Sequence, residues 1–343
     1  MGSQDLEKRV EKELLSLSSE DFYPIAERLR AVIDRAILSR SLPTLEYQCP
    51  RCNGGEFVRC GYTAAGTQRW KCKGCGLVRT HCQSGGILAN TKLDREKWME
   101  YIPLFLAHVP CSAVEAQLKV THRTAWFMRV RMLEAAYNEL PAFQAKAGCN
   151  TQIDEMYFRE SFKGTRFDTL DNPPRAPRTG DDVSYSRGMN DEKICVMTMV
   201  NDSRDFLFDV SCRGPLSYDV AMEKLKDRIE QGAIVNTDRH FAYPKVLSAL
   251  GVAVHNAFRS EDHEYLSTTN HIDGNLRAFL KPFHGVSTKW LHIYLSWYKW
   301  LMCFGTSDIA IRHVASGDYV HCWRSIRAMG TPFRDASFNA VKC

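Results

Sequence analysis

Gln152-Ile153-Asp154-Glu155-Met156-Tyr157-Phe158 is the stretch from which the fold can be read. It has the apolar content of a buried strand, yet it carries a carboxylate at Asp154, which such a strand tolerates only when the charge is paired or bound to a cation. The next segments keep the same character: Lys193-Ile-Cys-Val-Met-Thr-Met-Val200, Asp205-Phe-Leu-Phe-Asp-Val210, a helical pattern over 218–231, and the short apolar run Ala233-Ile-Val-Asn236. Strands followed by alternating helix and strand specify an α/β class with a mixed sheet rather than a barrel. Residues 171–190, rich in Pro, Gly and charge, read as an exposed insertion loop between the first two strands.

A second carboxylate stands in the same position. Asp238 follows directly on Ile234-Val-Asn-Thr237, so two apolar strands each bring one aspartate. Side by side, Asp154 and Asp238 would present two carboxylates to one magnesium site, completed by water and phosphate oxygens. Taken singly, each is equally compatible with a structural strand end. Further along, Asn270, Asp273 and Arg277 lie at i, i+3 and i+7 of a helix that starts near Thr269, which places them on one face. An amide or carboxylate there can complete a metal shell, and the guanidinium can grip a phosphate. The competing reading is a capping asparagine followed by solvated polar residues. Glu155, next to Asp154 on a strand, is expected to point to the opposite face and not to be a ligand.

Toward the N-terminus the composition changes. Cys49-Pro-Arg-Cys52 and Cys72-Lys-Gly-Cys75 form two C-x-x-C pairs at the spacing of a four-thiolate zinc ribbon. A saturated tetrahedral site of this kind is structural, because it leaves no open position for catalysis. Cys60 and Cys82 are spare thiols. Between Cys49 and Thr80 six Arg or Lys stand against the single acid Glu56, a local excess equal to the net +5 of the whole chain. Arg69, Lys71 and Lys73 are the cations expected to meet DNA phosphate.

After the ribbon, Cys111 to Leu133 has the layout of a helix-turn-helix. A short helix ends near Leu118, Val120 lies in the turn, and Thr121 caps a second helix whose exposed side is expected to carry His122, Arg123, Arg129 and Arg131. An ordinary helical hairpin is the alternative. A helix from Lys92 to Leu106 precedes the pair, with a bend or break expected near Pro103. Residues 5–40 read as a helical leader, with a cap at Ser18-Ser19-Glu20-Asp21. Trp290, Tyr294, Trp297, Tyr298 and Trp300 crowd one late helix, where an aromatic core or a protomer interface is favoured over stacking on extruded bases.

Of the 343 residues 44% are hydrophobic and 25% charged, enough to fill a sizeable core in two or three domains. No run of eighteen apolar residues suggests a membrane span. Thirteen cysteines and an N-terminus without an apolar signal region fit reduced thiols in a cytoplasm better than a disulfide framework.

The combination resembles the DDE-type insertion-sequence transposases that carry an N-terminal zinc ribbon and often have asparagine as their third catalytic residue. The matching segments are the Cys49/Cys52/Cys72/Cys75 ribbon, the Ile153-Asp-Glu-Met-Tyr strand, Thr237-Asp238 with Ala242-Tyr243, and Asn270 through Arg277 running on to Phe283-His-Gly-Val-Ser-Thr-Lys-Trp. The similarity spans about residues 45 to 300. It implies an RNase H-like catalytic core in which Asp154 and Asp238 hold Mg2+ or Mn2+ and Asn270 is the third member. It also implies cleavage of double-stranded DNA at terminal repeats followed by strand transfer, a prokaryotic, nucleoid-associated location, and a homodimer or larger assembly on DNA. Arg277 stands where the family usually has lysine, and Asp273 offers a carboxylate one turn from Asn270; register favours Asn270.

The chain is thus read as a helical leader (1–44), a zinc ribbon (45–82), a helix-turn-helix region (90–148), an RNase H-like domain (150–305) and a C-terminal extension (306–343) with no assigned role. A domesticated, non-cutting DNA-binding protein and a nuclease without strand transfer are the alternatives.

Overall fold

The computed structural model describes residues 3–41, 49, 51–62, 68–79, 87, 93, 95–164, 193–259 and 266–305. Cys82, the insertion loop 171–190 and the extension 306–343 lie outside them. The described residues divide into two compact units, with the boundary between Ala107 and His108, inside the region 90–148 that the sequence reads as one.

In the first unit, helices α1 (Ser3–Leu15) and α2 (Ser19–Ser41) are separated by the expected cap. The Ser18 hydroxyl donates to Asp21 Oδ2 at 2.8 Å and accepts from the Asp21 amide at 3.2 Å. Strands β1 (Phe57–Tyr62), β2 (Gln68–Cys72) and β3 (Val78–Arg79) form an antiparallel three-stranded sheet in that order. Most of its side chains are exposed, so apolar burial alone holds it weakly. Helix α3 (Arg95–Leu106) runs through Pro103 unbroken, which of the expected bend or break leaves the bend. Proline removes one donor, but the following turn closes normally, with the Ala107 amide 3.0 Å from the Pro103 carbonyl.

The second unit begins with the helix pair α4 (Cys111–Leu118) and α5 (His122–Glu139). Lys119 takes a left-handed conformation (φ 53°), which turns the chain. Thr121 then caps α5, its side chain accepting from the Thr124 amide at 3.2 Å.

There follow β4 (Asn150–Arg159), β5 (Lys193–Asn201), β6 (Phe206–Arg213), α6 (Tyr218–Leu225), β7 (Ile234–Asp238), α7 (Tyr243–Ala249), β8 (Val254–Phe258), α8 (Ser267–Leu280) and α9 (Thr288–Phe304). The five strands form one mixed sheet in the order β6-β5-β4-β7-β8. β4, β5 and β6 alternate in direction, whereas β7 and β8 run parallel to β4. The sequence dictates the difference. A tight turn at Asn201–Asp205 reverses β5 into β6, while helical crossovers of a dozen or more residues carry the chain to β7 and β8. This is a mixed α/β sheet consistent with the RNase H-like core that the resemblance implies. α6 stops at Leu225, short of the 218–231 pattern, because the next residues exchange helical bonds for a bridge to Ala145: its amide donates to Arg228 O at 2.8 Å and its carbonyl accepts from the Glu230 amide at 2.9 Å.

One face of the sheet packs Ile153, Met197, Met199 and Val235 against Leu216, Val220, Leu225, Val246 and Leu247. β5 is buried along its whole interior, as a central strand covered on both faces must be. α9 buries Trp290, Tyr294, Trp297 and Trp300, so its aromatic stripe is core, as favoured from sequence. Among the described residues no helix is long and apolar enough to cross a membrane. The described thiols at 49, 52, 60, 72, 75, 111, 149, 195 and 303 are free; Cys212 departs from the expectation of reduced thiols in being disulfide-bonded.

Candidate functional site

β4 and β7 decide where the carboxylates meet. They pair in parallel, with Ile153 opposite Thr237, so the next residues, Asp154 and Asp238, stand level at the same end of the sheet. Asp154, Glu155 and Asp238 each bring an oxygen to a cluster in which these atoms lie within 4.8 Å of one another. Glu155 therefore departs from the expectation that it faces away. β7 ends at Asp238, level with Asp154, so no β7 residue flanks Glu155, and the longer glutamate side chain has room to reach the aspartates. Its Oε1 is buried and has no hydrogen-bond partner among the described residues.

Three negative groups this close are costly together. Burial, with the neighbouring Asp238 charge added, pushes the Asp154 carboxyl up to about 6, against opposing help from the Glu155 amide and Arg277. Burial and the charges of Asp238 and Asp154 drive Glu155 well above its ordinary range. One amide orients each aspartate: Glu155 N–H donates to Asp154 Oδ1, and His240 N–H to Asp238 Oδ1, both at 2.9 Å.

Helix α8 supplies the fourth carboxylate. Asp273 is 4% exposed, and the hydroxyl of Thr198 on β5 donates to its Oδ1 at 2.8 Å. Burial, then the Asp154 charge, raises it to about 7, while Thr198 and Arg277 work the other way. Arg277, exposed on the same helix, bears electrostatically on both Asp154 and Asp273. Asn270, one turn before Asp273, is exposed. The helix is pinned at its start by Gln152, whose Oε1 accepts from the Thr269 amide at 3.1 Å and hydroxyl at 3.0 Å. A cluster of carboxylates with raised proton affinity and an orphaned oxygen is relieved by a divalent cation, so the donor set fits one.

The thiol centre is built on a repeated turn. Each Cys-x-x-Cys is followed by a residue in the left-handed region, Asn53 (φ 55°) and Gly76 (φ 71°), whose amide returns to the first cysteine's carbonyl at 2.7 and 2.9 Å. The four sulfurs of Cys49, Cys52, Cys72 and Cys75 lie within 4.8 Å of one another, with Cys49 3.4 Å from Cys75 and Cys52 3.6 Å from Cys72. Four thiolates around one zinc ion would stand about 3.8 Å apart, so the cluster can bind zinc. A Cβ added at Gly74 would sit 3.3 Å from Cys52 Sγ, which explains the glycine in the second pair.

No family model and no curated protein matches the chain. Among solved structures it is similar to a pre-cleavage Mos1 transpososome, at 12% identity over 71% of this chain and 84% of that chain, with a TM-score of 0.26.

The basic residues singled out for DNA fall into two groups. Arg69 and Lys71 on β2 and Lys73 just after it are exposed, and Lys73 also pairs with Glu56 at 3.1 Å. His122 and Arg123 are exposed at the start of α5, with His122 Nδ1 3.1 Å from Glu115. Arg129 and Arg131 do not share that exposed side as expected: they are 1% and 3% exposed. The guanidinium of Arg129 lies over Phe283 and Trp297, 5.4 and 5.0 Å from their centroids, and bonds to the Val109 carbonyl. Arg131 lies 4.8 Å over Phe127. Planar cations stack on aromatic faces, which lets helical positions that look solvated be absorbed into the core.

Sequence reading also missed Thr198 and Gln152. Thr198 carried a signal, as the lone polar side chain within Ile194–Val200; Gln152 carried none.

Proposed function

We propose that the chain is a metal-dependent DNA-cutting and DNA-joining enzyme of the transposase kind, with the ribbon and the α4–α5 pair as its DNA-binding parts. The observation that carries the reading is the placing of Asp154 and Asp238 level on adjacent parallel strands, with Glu155 among them and Asp273 electrostatically coupled to Asp154. Half-buried carboxylates gathered at one end of a sheet have no stabilising role of their own, since their mutual repulsion and desolvation work against folding.

In this reading Asp154, Asp238 and Glu155 hold Mg2+ or Mn2+. Bound there, the cation would supply charge neutralisation at a phosphodiester and polarise its phosphorus–oxygen bonds. The protein's own part is positioning. Thr198 and Gln152 fix α8 against β5 and β4 and so set Asp273 beside Asp154. Arg277 offers a guanidinium fork to a phosphate oxygen. Asn270, exposed one turn earlier, faces solvent from which a DNA strand would approach, and it remains a candidate third catalytic residue beside Asp273. Zinc held by the four cysteines would fix the ribbon, so that Arg69, Lys71 and Lys73 meet backbone phosphate while His122 and Arg123 open α5 toward base edges. Action on two DNA ends would call for a dimer or larger assembly.

The deciding experiment incubates the purified chain with Mg2+ or Mn2+ and duplex DNA carrying the sequences that flank its gene, beside Asp238→Asn. Metal-dependent nicks with 3′-hydroxyl ends, lost in the variant while DNA binding persists, are expected. Tight binding with no nick under either metal would replace the enzyme with a non-cutting DNA-binding protein.

A further inference from the structure

A second concave site lies in the same unit and is lined by none of the clustered carboxylates. Its volume is about 660 Å3, within the range of sites that enclose a small organic ligand. It opens between the starts of α4 and α5, residues 163–164 after β4, and residues 282–287 before α9. Among the described residues the lining contains no aspartate or glutamate, but it contains Arg129, Lys163 and Lys289. Lys163 is held in place: its ammonium donates to the carbonyls of Phe283 and Gly285 at 3.1 and 3.2 Å. α9 starts at this wall with Thr288, so the positive end of a helix of 17 residues adds charge of the same sign.

The rest of the wall is aromatic. Trp126, half-buried, meets Trp290 edge to face at 5.5 Å between centroids. The rim is kept open by two glycines in the left-handed region, Gly164 (φ 73°) and Gly285 (φ 91°), at neither of which an added Cβ would meet an atom within 4 Å. A site for a bare anion would need neither indole nor this volume, and an apolar ligand would gain nothing from three cations. Aromatic walls with fixed cations suit a flat, π-rich group that carries a phosphate.

We propose that this cavity receives one unpaired nucleotide of a DNA strand, with its base against Trp126 and Trp290 and its phosphate at Lys163 and Lys289. The inference rests on the DNA-binding reading above and adds to it a place for a base drawn out of the helical stack. Extrusion costs unstacking, which aromatic contact in the cavity offsets. Cutting chemistry at the carboxylates would gain a fixed register, because one nucleotide is anchored while the strand passes through.

The test uses the full-length, zinc-loaded chain without added divalent metal, so that no strand is cut, and measures its affinity for two labelled duplexes of one sequence. One duplex is perfectly paired and the other carries a single unpaired thymidine. The bulged duplex is expected to bind about tenfold tighter, the scale of one base stacked on an aromatic side chain. Trp126→Leu should bring the ratio close to one while leaving the affinity for the paired duplex within about twofold, and Trp126→Phe should keep most of the preference. Lys163→Gln, at an exposed side chain, should also reduce the preference and repeats the comparison without disturbing packed residues. Equal affinity for both duplexes, or a preference that survives Trp126→Leu and Lys163→Gln, overturns the nucleotide site while leaving DNA binding intact. No binding to either duplex overturns both.

Discussion

The hydroxyl of Thr198 donates to Asp273 Oδ1 at 2.8 Å and so ties the centre of β5 to the buried face of α8. Thr198 also stands opposite Asp154 in the β4–β5 ladder, so one side chain sets the spacing between two of the acids.

Thr198→Val keeps the shape of that side chain and removes the donor. A buried carboxylate that loses its partner costs about 1–3 kcal/mol, and Asp273 should hold its proton to still higher pH. The expected result is a lower urea midpoint at pH 7 and weaker Mn2+ binding by titration calorimetry. Unchanged values for both would mean that the bond positions nothing.

The acids also predict the direction of pH dependence. Asp154 and Asp273 are raised to about 6 and about 7, so between their unfolded values near 4 and those folded values the native state binds more protons than the unfolded chain. Metal-free stability from these groups is therefore present at low pH and lost as pH rises through that window. For Asp154 the shift corresponds to about 3 kcal/mol. The half-buried imidazoles of His108, His240, His255 and His292 are lowered by desolvation and act in the opposite direction, losing stability as pH falls. The comparison with Asp273→Asn isolates the carboxylates. The wild-type chain should lose more stability than the variant between pH 5 and 8 in EDTA, and Mn2+ should raise its midpoint most at the upper end. Parallel pH curves for the two proteins would sink the argument.

The ribbon makes a separate prediction. Its strands bury little apolar surface, so metal binding there would be folding free energy. Chelation under reducing conditions, or Cys72→Ser, should abolish amide-exchange protection at Val58 and Lys71, which pair across β1 and β2. Protection in β4 and β5 should persist. Metal analysis should find one zinc per chain; protected β1–β2 amides in metal-free protein would rule out a zinc-dependent ribbon.

What could be read beforehand followed the strength of local signals. Apolar runs with an aspartate marked β4 and β7, paired cysteines marked the thiol centre, and Thr121 marked the start of α5, because each depends on neighbours in sequence. Strand β8, with mostly exposed side chains at Val254–Phe258, gave no apolar run to detect. Alternation along β4 predicts that Glu155 faces away, but its longer side chain, beside the end of β7 at Asp238, brings a carboxylate oxygen to the aspartates, a reach that spacing in sequence does not show. The choice between Asn270 and Asp273 turns on burial against β5, a long-range property that helical register cannot supply.

Arg123 and Arg129 differ by six positions on one helix and should fail in different assays. Arg129 is 1% exposed, stacked on Phe283 and Trp297, with its Nη1 3.5 Å from the Tyr294 hydroxyl. Removing it empties a packed space beside two rings and deprives buried acceptors of their donor, losses that each reach about 1–3 kcal/mol. Arg129→Ala is therefore expected to lower the urea midpoint, and to weaken DNA binding only in proportion to the fraction unfolded. Arg123 is exposed and contributes little to the fold. Arg123→Ala should leave the midpoint unchanged, weaken duplex binding, and reduce the slope of log affinity against log salt by about 1, the signature of one lost phosphate contact. If instead Arg129→Ala flattened the salt slope at full stability, its side chain would have to leave the aromatic pocket to meet DNA, and the assignment of Arg129 to the core would be wrong.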